Sequence, residues 1–347
     1  MRKLTTHWRL IVAIGFIFFA ANLKAEIIFN GQWENYMGAF YGPQGWQNGK
    51  PVGQPAGAED WSDITAFWSP VPIDNTWLFN TSSAPDRIRL EVDPTSPKGG
   101  MVARFEVRGG DHREGKYSGE RSEMYTMVGK NHKKIPVTAE SGHEFYGISV
   151  KVSADWTAPQ HESPQKGSWQ WASFMQLHSP NIYNSPPAID LMADDAFHLH
   201  LDSGELGQQV VDKKTGVIRQ AKKDSQPVAF SNGNLNRGHW VQFMLDVVWA
   251  SDTSGSLRIY RRDEGQKDFT QVLDLEGTPT LQYDSFISID PAKCSSCGID
   301  NVTHYWRVGL YRSTSPGQTN VLWLGPVVRG SRFDEVAVAA FGSTGNK

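Results

Sequence analysis

From about residue 85 onward, apolar and polar residues alternate with a period of two, the repeat of a β-strand that buries one face. Met101 to Arg108 sets Ala103, Phe105 and Val107 against Arg104, Glu106 and Arg108. Tyr305 to Arg312 sets Trp306, Val308 and Leu310 against Tyr305, Arg307, Gly309 and Tyr311. In that second strand a glycine between a cation and a phenol weakens pairing, and is expected to clear room for something lying across the sheet. Further strands are expected at Arg87–Val92, Phe145–Val152, Trp169–His178, Ile189–Met192, Ala196–Leu201, Trp240–Trp249, Leu257–Arg261, Val321–Val328 and Phe333–Ala340. Long stretches of helical period are scarce. The pattern therefore predicts an all-β protein with two packed antiparallel sheets. Residues 26–95 hold few clean strands and many turn formers, among them Gly42-Pro43 and Pro70-Val71-Pro72, and read as an irregular N-terminal wrap.

The first 25 residues break this picture. Arg2, Lys3 and Arg9 precede a twelve-residue apolar run, Leu10 to Ala21, and a polar stretch ends at Ala25. The run is too short to span a bilayer, so residues 1–25 read as a secretory signal peptide and residues 26–347 as one exported domain, secreted or periplasmic. Losing that segment removes four cations and no acid, which moves the formal charge from −3 to −7. A mildly acidic chain argues against nonspecific nucleic-acid binding, which needs a broad basic field. No membrane partner is expected, and the chain is expected to be a monomer. Cys294 and Cys297 are the only cysteines; in an exported protein they are expected to form a disulfide.

Residues two or four apart on a strand share a face, so Arg121 and Glu123 point together, as do Gln176 and His178, and Arg307 and Tyr311. If the three strands share a sheet, the six side chains share a surface. The set contains cations, an amide, an imidazole and a phenol, without an evident serine nucleophile or metal cage. It suits β-elimination at a uronic acid. The C5 proton there is only weakly acidic beside a charged carboxylate, so donors that neutralise the carboxylate stabilise an enolate-like transition state. A base must take the proton, and an acid must protonate the departing O4. His178 has the ordinary pKa range of a base, and cations near Tyr311 are expected to lower its phenol.

Arg121-Ser122-Glu123, Gln176-Leu177-His178 and the run from Tyr305 to Tyr311 resemble, in order and spacing, the three motifs of the β-jelly-roll polysaccharide lyases. That group includes alginate lyases, glucuronan lyases and the heparin lyase I type. The resemblance covers roughly residues 85–340. It implies a β-jelly roll with a concave, substrate-binding sheet and an anionic polysaccharide as partner. It also implies that Arg121, Gln176 and His178 neutralise or orient the carboxylate, and that Tyr311 is the catalytic tyrosine. Glu123, Arg307, Tyr305 and Arg108 are the expected substrate contacts. Two departures stand out: the alginate-lyase motif has lysine where Arg307 stands, and ends Tyr-Asn-Gln where this chain has Tyr311-Arg312-Ser313. They shift the expected polymer from alginate toward glucuronate-containing chains, with alginate or ulvan as alternatives. Where the C5 proton and O4 share a side of the sugar, one tyrosine can be both base and acid. Where they do not, His178 is the base and Tyr311 the acid.

Other readings compete. A glycoside hydrolase needs two carboxylates at fixed separation, and no strand here alternates acids in that way. A noncatalytic carbohydrate-binding jelly roll would keep aromatic platforms without needing His178 and Tyr311 together. Taken singly, Arg121 and Glu123 fit a surface pair, and Trp169 and Trp171 fit the core. The Lys130, His132, Lys133 and Lys134 cluster fits a solvated loop. No cofactor is expected; Asp194-Asp195 leaves a structural calcium open on weak grounds.

Overall fold

In a computed structural model, the residues described are 27–31, 46–47, 50–51, 75–81, 87–111, 119–128, 142–160, 170–178, 187–205, 209–211, 218–220, 227–250, 252–283, 305–315 and 317–345. Two antiparallel sheets carry the fold. The eight-stranded sheet runs β18 (Thr270–Glu276), β17 (Ser256–Asp263), β16 (Val241–Val248), β8 (His143–Val152), β21 (Thr319–Gly330), β6 (Met101–Arg108) and β5 (Ile88–Val92). Strand β1 (Ile27–Gly31) also pairs with β21. The seven-stranded sheet runs β15 (Pro227–Ala229), β11 (Phe197–Leu201), β10 (Ile189–Ala193), β9 (Ala172–His178), β20 (Tyr305–Arg312), β7 (Glu120–Val128) and β4 (Asn75–Thr81). Three two-stranded pieces complete the set: β2 (Trp46–Gln47) with β3 (Lys50–Pro51), β12 (Gly204–Glu205) with β19 (Gln282–Tyr283), and β13 (Gln209–Val211) with β14 (Ile218–Gln220). The chain passes from one sheet to the other at β6–β7–β8–β9 and again at β18 to β20 to β21, giving a β-jelly roll.

Alternation explains the sandwich. Ala103, Phe105 and Val107 of β6 turn inward to meet Trp306, Val308 and Leu310 of β20, in a continuous core with Phe174, Phe197 and Phe243. Those three phenylalanines stack edgewise or tilted at centroid separations of 5.1–6.1 Å, a favourable geometry for aromatic rings. Charge in this interior is buried with its partners: Glu144 accepts from the Arg329 guanidinium, the Tyr146 hydroxyl and the Trp249 indole.

Several segments depart from the sequence expectation. Phe333–Phe341 is an α-helix, α1, where a strand is expected. Its acids, Asp334 and Glu335, sit in the first turn, and Gly342 ends it with a left-handed φ of 75°. Val336, Ala337, Ala340 and Phe341 pack on the outer face of the eight-stranded sheet, against Phe145, Met244, Phe269 and Val328. Gly147 lets it lie close, since a Cβ there would stand 2.9 Å from that of Ala340. Thr270–Glu276 is the second case, an edge strand that the alternation does not announce. Third, within the stretch expected to wrap irregularly, Ile27–Gly31 and Asn75–Thr81 join the two sheets, recruited by β21 and β7.

The expected signal peptide lies outside the described residues, as do the Lys130–Lys134 cluster, Trp169, Cys294 and Cys297. Thiol titration of the unfolded, unreduced protein is expected to find no free thiol; two free thiols would refute the Cys294–Cys297 link.

Candidate active site

The face of the seven-stranded sheet that points away from the core collects the polar residues. On β7, Arg121 and Glu123 are both buried, with Arg121 Nη1 3.5 Å from Glu123 Oε2. On β20 the ladder places Tyr311 opposite Arg121, and Arg307 opposite Tyr125. On the other side of β20, Arg307 faces Gln176 and Tyr311 faces Ser173 of β9, while His178 stands opposite Tyr305 at the strand's end. Thus Arg121, Glu123, Gln176, Arg307 and Tyr311 occupy three adjacent strands, with His178 and Tyr305 at neighbouring register positions.

Two irregularities set this register. On β9, Phe174 is an extra residue relative to β10, so Ser173 and Gln176 share the outer face although they are three apart. On β20, pairing with β9 slips between Val308 and Tyr311. Gly309 sits in that slip with φ 135°, and a Cβ there would lie 2.4 Å from the Ser122 carbonyl oxygen and 2.7 Å from Glu123 Cα. The glycine is required by the close approach of β7 and by its left-handed φ, not by a ligand lying over the sheet. That corrects the sequence expectation.

Tyr311 is held from three sides. The Arg121 guanidinium carbon lies 3.8 Å from its ring centroid, a cation–π contact. The Trp171 ring meets it edge-on at 4.3 Å. Gly119 supplies the third wall, where a Cβ would come within 2.6 Å of the tyrosine ring. Trp171 therefore stands beside the phenol, not in the core where its alternation with Gln170 suggested.

The electrostatics differ from expectation as well. Burial pushes the Tyr311 phenol above its ordinary value; Arg121 and Arg307 pull it down, Glu123 adds to the rise, and burial prevails. Desolvation thus outweighs the arginines, and the free protein presents a neutral phenol.

Arg108 does not join this group. It ends β6 in the other sheet, half exposed, with its guanidinium on Glu106. Because Phe105 and Val107 turn into the core, Arg104, Glu106 and Arg108 face the far side of the sandwich. The expectation that Arg108 contacts substrate with Glu123 and Arg307 is corrected on that ground. Arg312 is also directed away from the site. It is fully buried on the Leu310 side of β20, donating to Glu120 Oε2 at 3.0 and 2.7 Å, to Asn320, and to the Gln318 carbonyl at 2.8 Å. Arg312 thus plays a structural part, whereas Arg307 lies on the face itself.

Several polar residues on this face escaped the sequence reading. Asp190 of β10 lies opposite Gln176 on one side and His200 of β11 on the other, and His198 follows opposite Met192. Burial, with His198 adding, pushes His200 down to about 4, so it is a neutral imidazole. The signals were present: one acid in the apolar strand Ile189-Asp190-Leu191-Met192-Ala193, and two histidines two apart in β11. Asp194, weighed above as a calcium ligand with Asp195, accepts from the Asp195 and Ala196 backbone amides and approaches His198 Nδ1 at 3.4 Å. Among the described residues, no three His, Cys, Asp or Glu side chains gather as a metal site.

Comparison with known proteins gives a family. The sequence model described as polysaccharide lyase matches residues 68–325. No curated protein matches the chain. Among solved structures, an endo-β-1,4-glucuronan lyase from the fungus Trichoderma reesei aligns at 15% identity and TM-score 0.46, over 75% of this chain and 97% of that one. A marine alginate lyase from Aplysia kurodai aligns at 10% identity and TM-score 0.40, over 72% and 88%. An alginate lyase of polysaccharide lyase family 7 aligns at 15% identity and TM-score 0.36, over 69% and 82%.

Proposed function

Because the chain belongs to the polysaccharide lyase family, we propose that it is an exported enzyme that cleaves a glucuronate-containing polysaccharide by β-elimination, leaving 4,5-unsaturated uronate ends. The observation that carries this reading is the Arg121 guanidinium lying 3.8 Å from the Tyr311 ring, on the sheet face that also holds Gln176 and Arg307. It sets a proton donor beside cations able to hold a carboxylate. Export is read from residues 1–25.

In the proposed reaction, Arg121, Arg307 and Gln176 receive the uronate carboxylate, whose negative charge grows as the C5–H bond weakens. His178 takes the C5 proton. The electron pair of that bond forms the C4–C5 double bond, the C4–O4 bond breaks, and Tyr311 gives its proton to O4. The neutral phenol imposed by burial supports Tyr311 as the acid and His178 as the base. In a 4-linked glucuronate the C5 proton and O4 lie on one side of the ring, the case in which one tyrosine can serve as both base and acid. The raised phenol of Tyr311 favours it as the acid alone, so His178, at the end of the adjacent strand β9, is assigned the base.

The test is incubation of purified protein with glucuronan, alginate, ulvan, heparan sulfate and hyaluronan, following the ultraviolet absorbance of the unsaturated product. Growth of absorbance with a glucuronate-containing polymer is the expected result. A preference for alginate would move the substrate to the alternative reading. Binding without product from any of the five would leave a noncatalytic carbohydrate-binding protein in its place.

A further inference from the structure

Asp190 lies on the floor of the site, yet the elimination has no use for another negative charge there. It is 7% exposed, and its carboxyl joins the two groups that the bulge in β9 brings to this face. The Ser173 hydroxyl donates to Oδ1, and Gln176 Nε2 lies 3.3 Å from Oδ2. The second contact is long for a bond to a carboxylate, which is ordinarily short. It also leaves Gln176 Oε1 buried, with no hydrogen-bond partner among the described residues. An orphaned buried acceptor is costly, because it has given up water and received no donor in exchange. It would in addition present a carbonyl oxygen to an incoming carboxylate, which repels it.

A carboxamide has nearly the same shape either way round, so its hydrogen-bond partners decide which end points where. If Asp190 carries a proton, Oδ2–H can donate to Gln176 Oε1 while Oδ1 still accepts from Ser173. The amide then turns its NH2, with two donors, to the position left unpaired. Both defects disappear in one arrangement.

We propose that Asp190 is a positioning residue for the elimination, standing beneath the site as a carboxylic acid that donates to Gln176 Oε1 and so aims the Gln176 NH2 at the substrate carboxylate. The charged surroundings agree. Facing Asp190 are Glu123 on β7, Asp202 beyond β11, Arg307 on β20 opposite Gln176, and the neutral His200 next to it in register. Burial holds the Asp190 carboxyl well above the ordinary carboxylate range, and Glu123 and Asp202 raise it further. The proposal rests on the lyase reading for the ligand that Gln176 meets, but not for the protonation of Asp190.

Two measurements separate these. A carboxyl-carbon NMR titration of protein labelled at aspartate, with Asp190→Asn identifying the resonance, should show Asp190 protonated at pH 7. An Asp190 carboxyl ionised at pH 7 overturns the proposal whether or not the protein is a lyase. Kinetics then test the role. Asn keeps a donor for Gln176 and an acceptor for Ser173 at every pH, so Asp190→Asn should retain kcat/KM within about threefold and lose any alkaline decline due to Asp190. Asp190→Ala, leaving the amide unaimed, should lose about tenfold or more in kcat/KM at pH 7 with the fold retained by circular dichroism; tenfold corresponds to about 1.4 kcal/mol of transition-state stabilisation. Equal losses in Asn and Ala variants, with an unchanged pH profile, would overturn it. A parent protein that yields no unsaturated product defeats the lyase reading and leaves the NMR result to decide Asp190.

Discussion

Tyr311→Phe is expected to lower the rate of uronate elimination by about 10²–10⁴-fold, the usual contribution of a positioned general acid or base, while the protein stays folded. The two halves of that expectation come from different parts of the side chain. The ring does the packing: Arg121 lies over it at 3.8 Å, Trp171 meets its edge at 4.3 Å, and Gly119 leaves it room. Phenylalanine keeps all three contacts. The hydroxyl carries the proton, and burial keeps that proton on the oxygen in the free protein. In the proposed reaction the departing O4 would then leave as an alkoxide, with no acid to meet it. His178→Ala should be comparably severe if it takes the C5 proton. Initial rates from product absorbance, beside thermal unfolding of both proteins, check the claim. Near-parent rates for Tyr311→Phe would rule out the mechanism and leave the fold untouched.

Arg312→Ala should be the most destabilising single change near the site, at about 3–5 kcal/mol, because it strands a buried carboxylate. Arg312 and Glu120 are both fully buried, and the guanidinium also donates to Asn320 and to the Gln318 carbonyl. Glu120 in turn accepts from the Gly110 and Ser315 backbone amides. The pair thus ties the end of β20 to the start of β7 and to the turn leading into β21. Tyr311 and Arg121 are the next residues along those strands, so the cation–π pair inherits its alignment from this bond. Denaturant unfolding gives the measurement, with the slope checked for a two-state transition. A loss below about 1 kcal/mol would mean that Arg312 is replaceable, and that the two strands are aligned by their ladder alone.

The two residues also show what the sequence by itself settles. Strands Met101–Arg108 and Tyr305–Arg312 are legible to the residue, because a half-buried strand writes its two environments as alternation within its own few residues. The same local rule put Arg121 with Glu123, and Arg307 with Tyr311, on common faces, and the order of the three motifs did the rest. Where a partner lies far along the chain, that signal fails. Asn75–Thr81 becomes a strand because β7 offers an edge, and Phe333–Phe341 becomes a helix because its apolar stripe finds the outer face of the eight-stranded sheet. Arg108 alternates as well as any site residue does, yet its strand belongs to the other sheet. Asp190, His200 and Trp171 reach the site through the register of β9 with its neighbours, and one extra residue at Phe174 decides which of its side chains look outward. The direction of the Tyr311 shift was likewise beyond the sequence. Counting arginines predicts a lowered phenol, whereas the water excluded by packing on three sides raises it. Alternation is a local property and the chain records it; register, sheet membership and desolvation belong to distant segments brought together, and only the tertiary structure decides them.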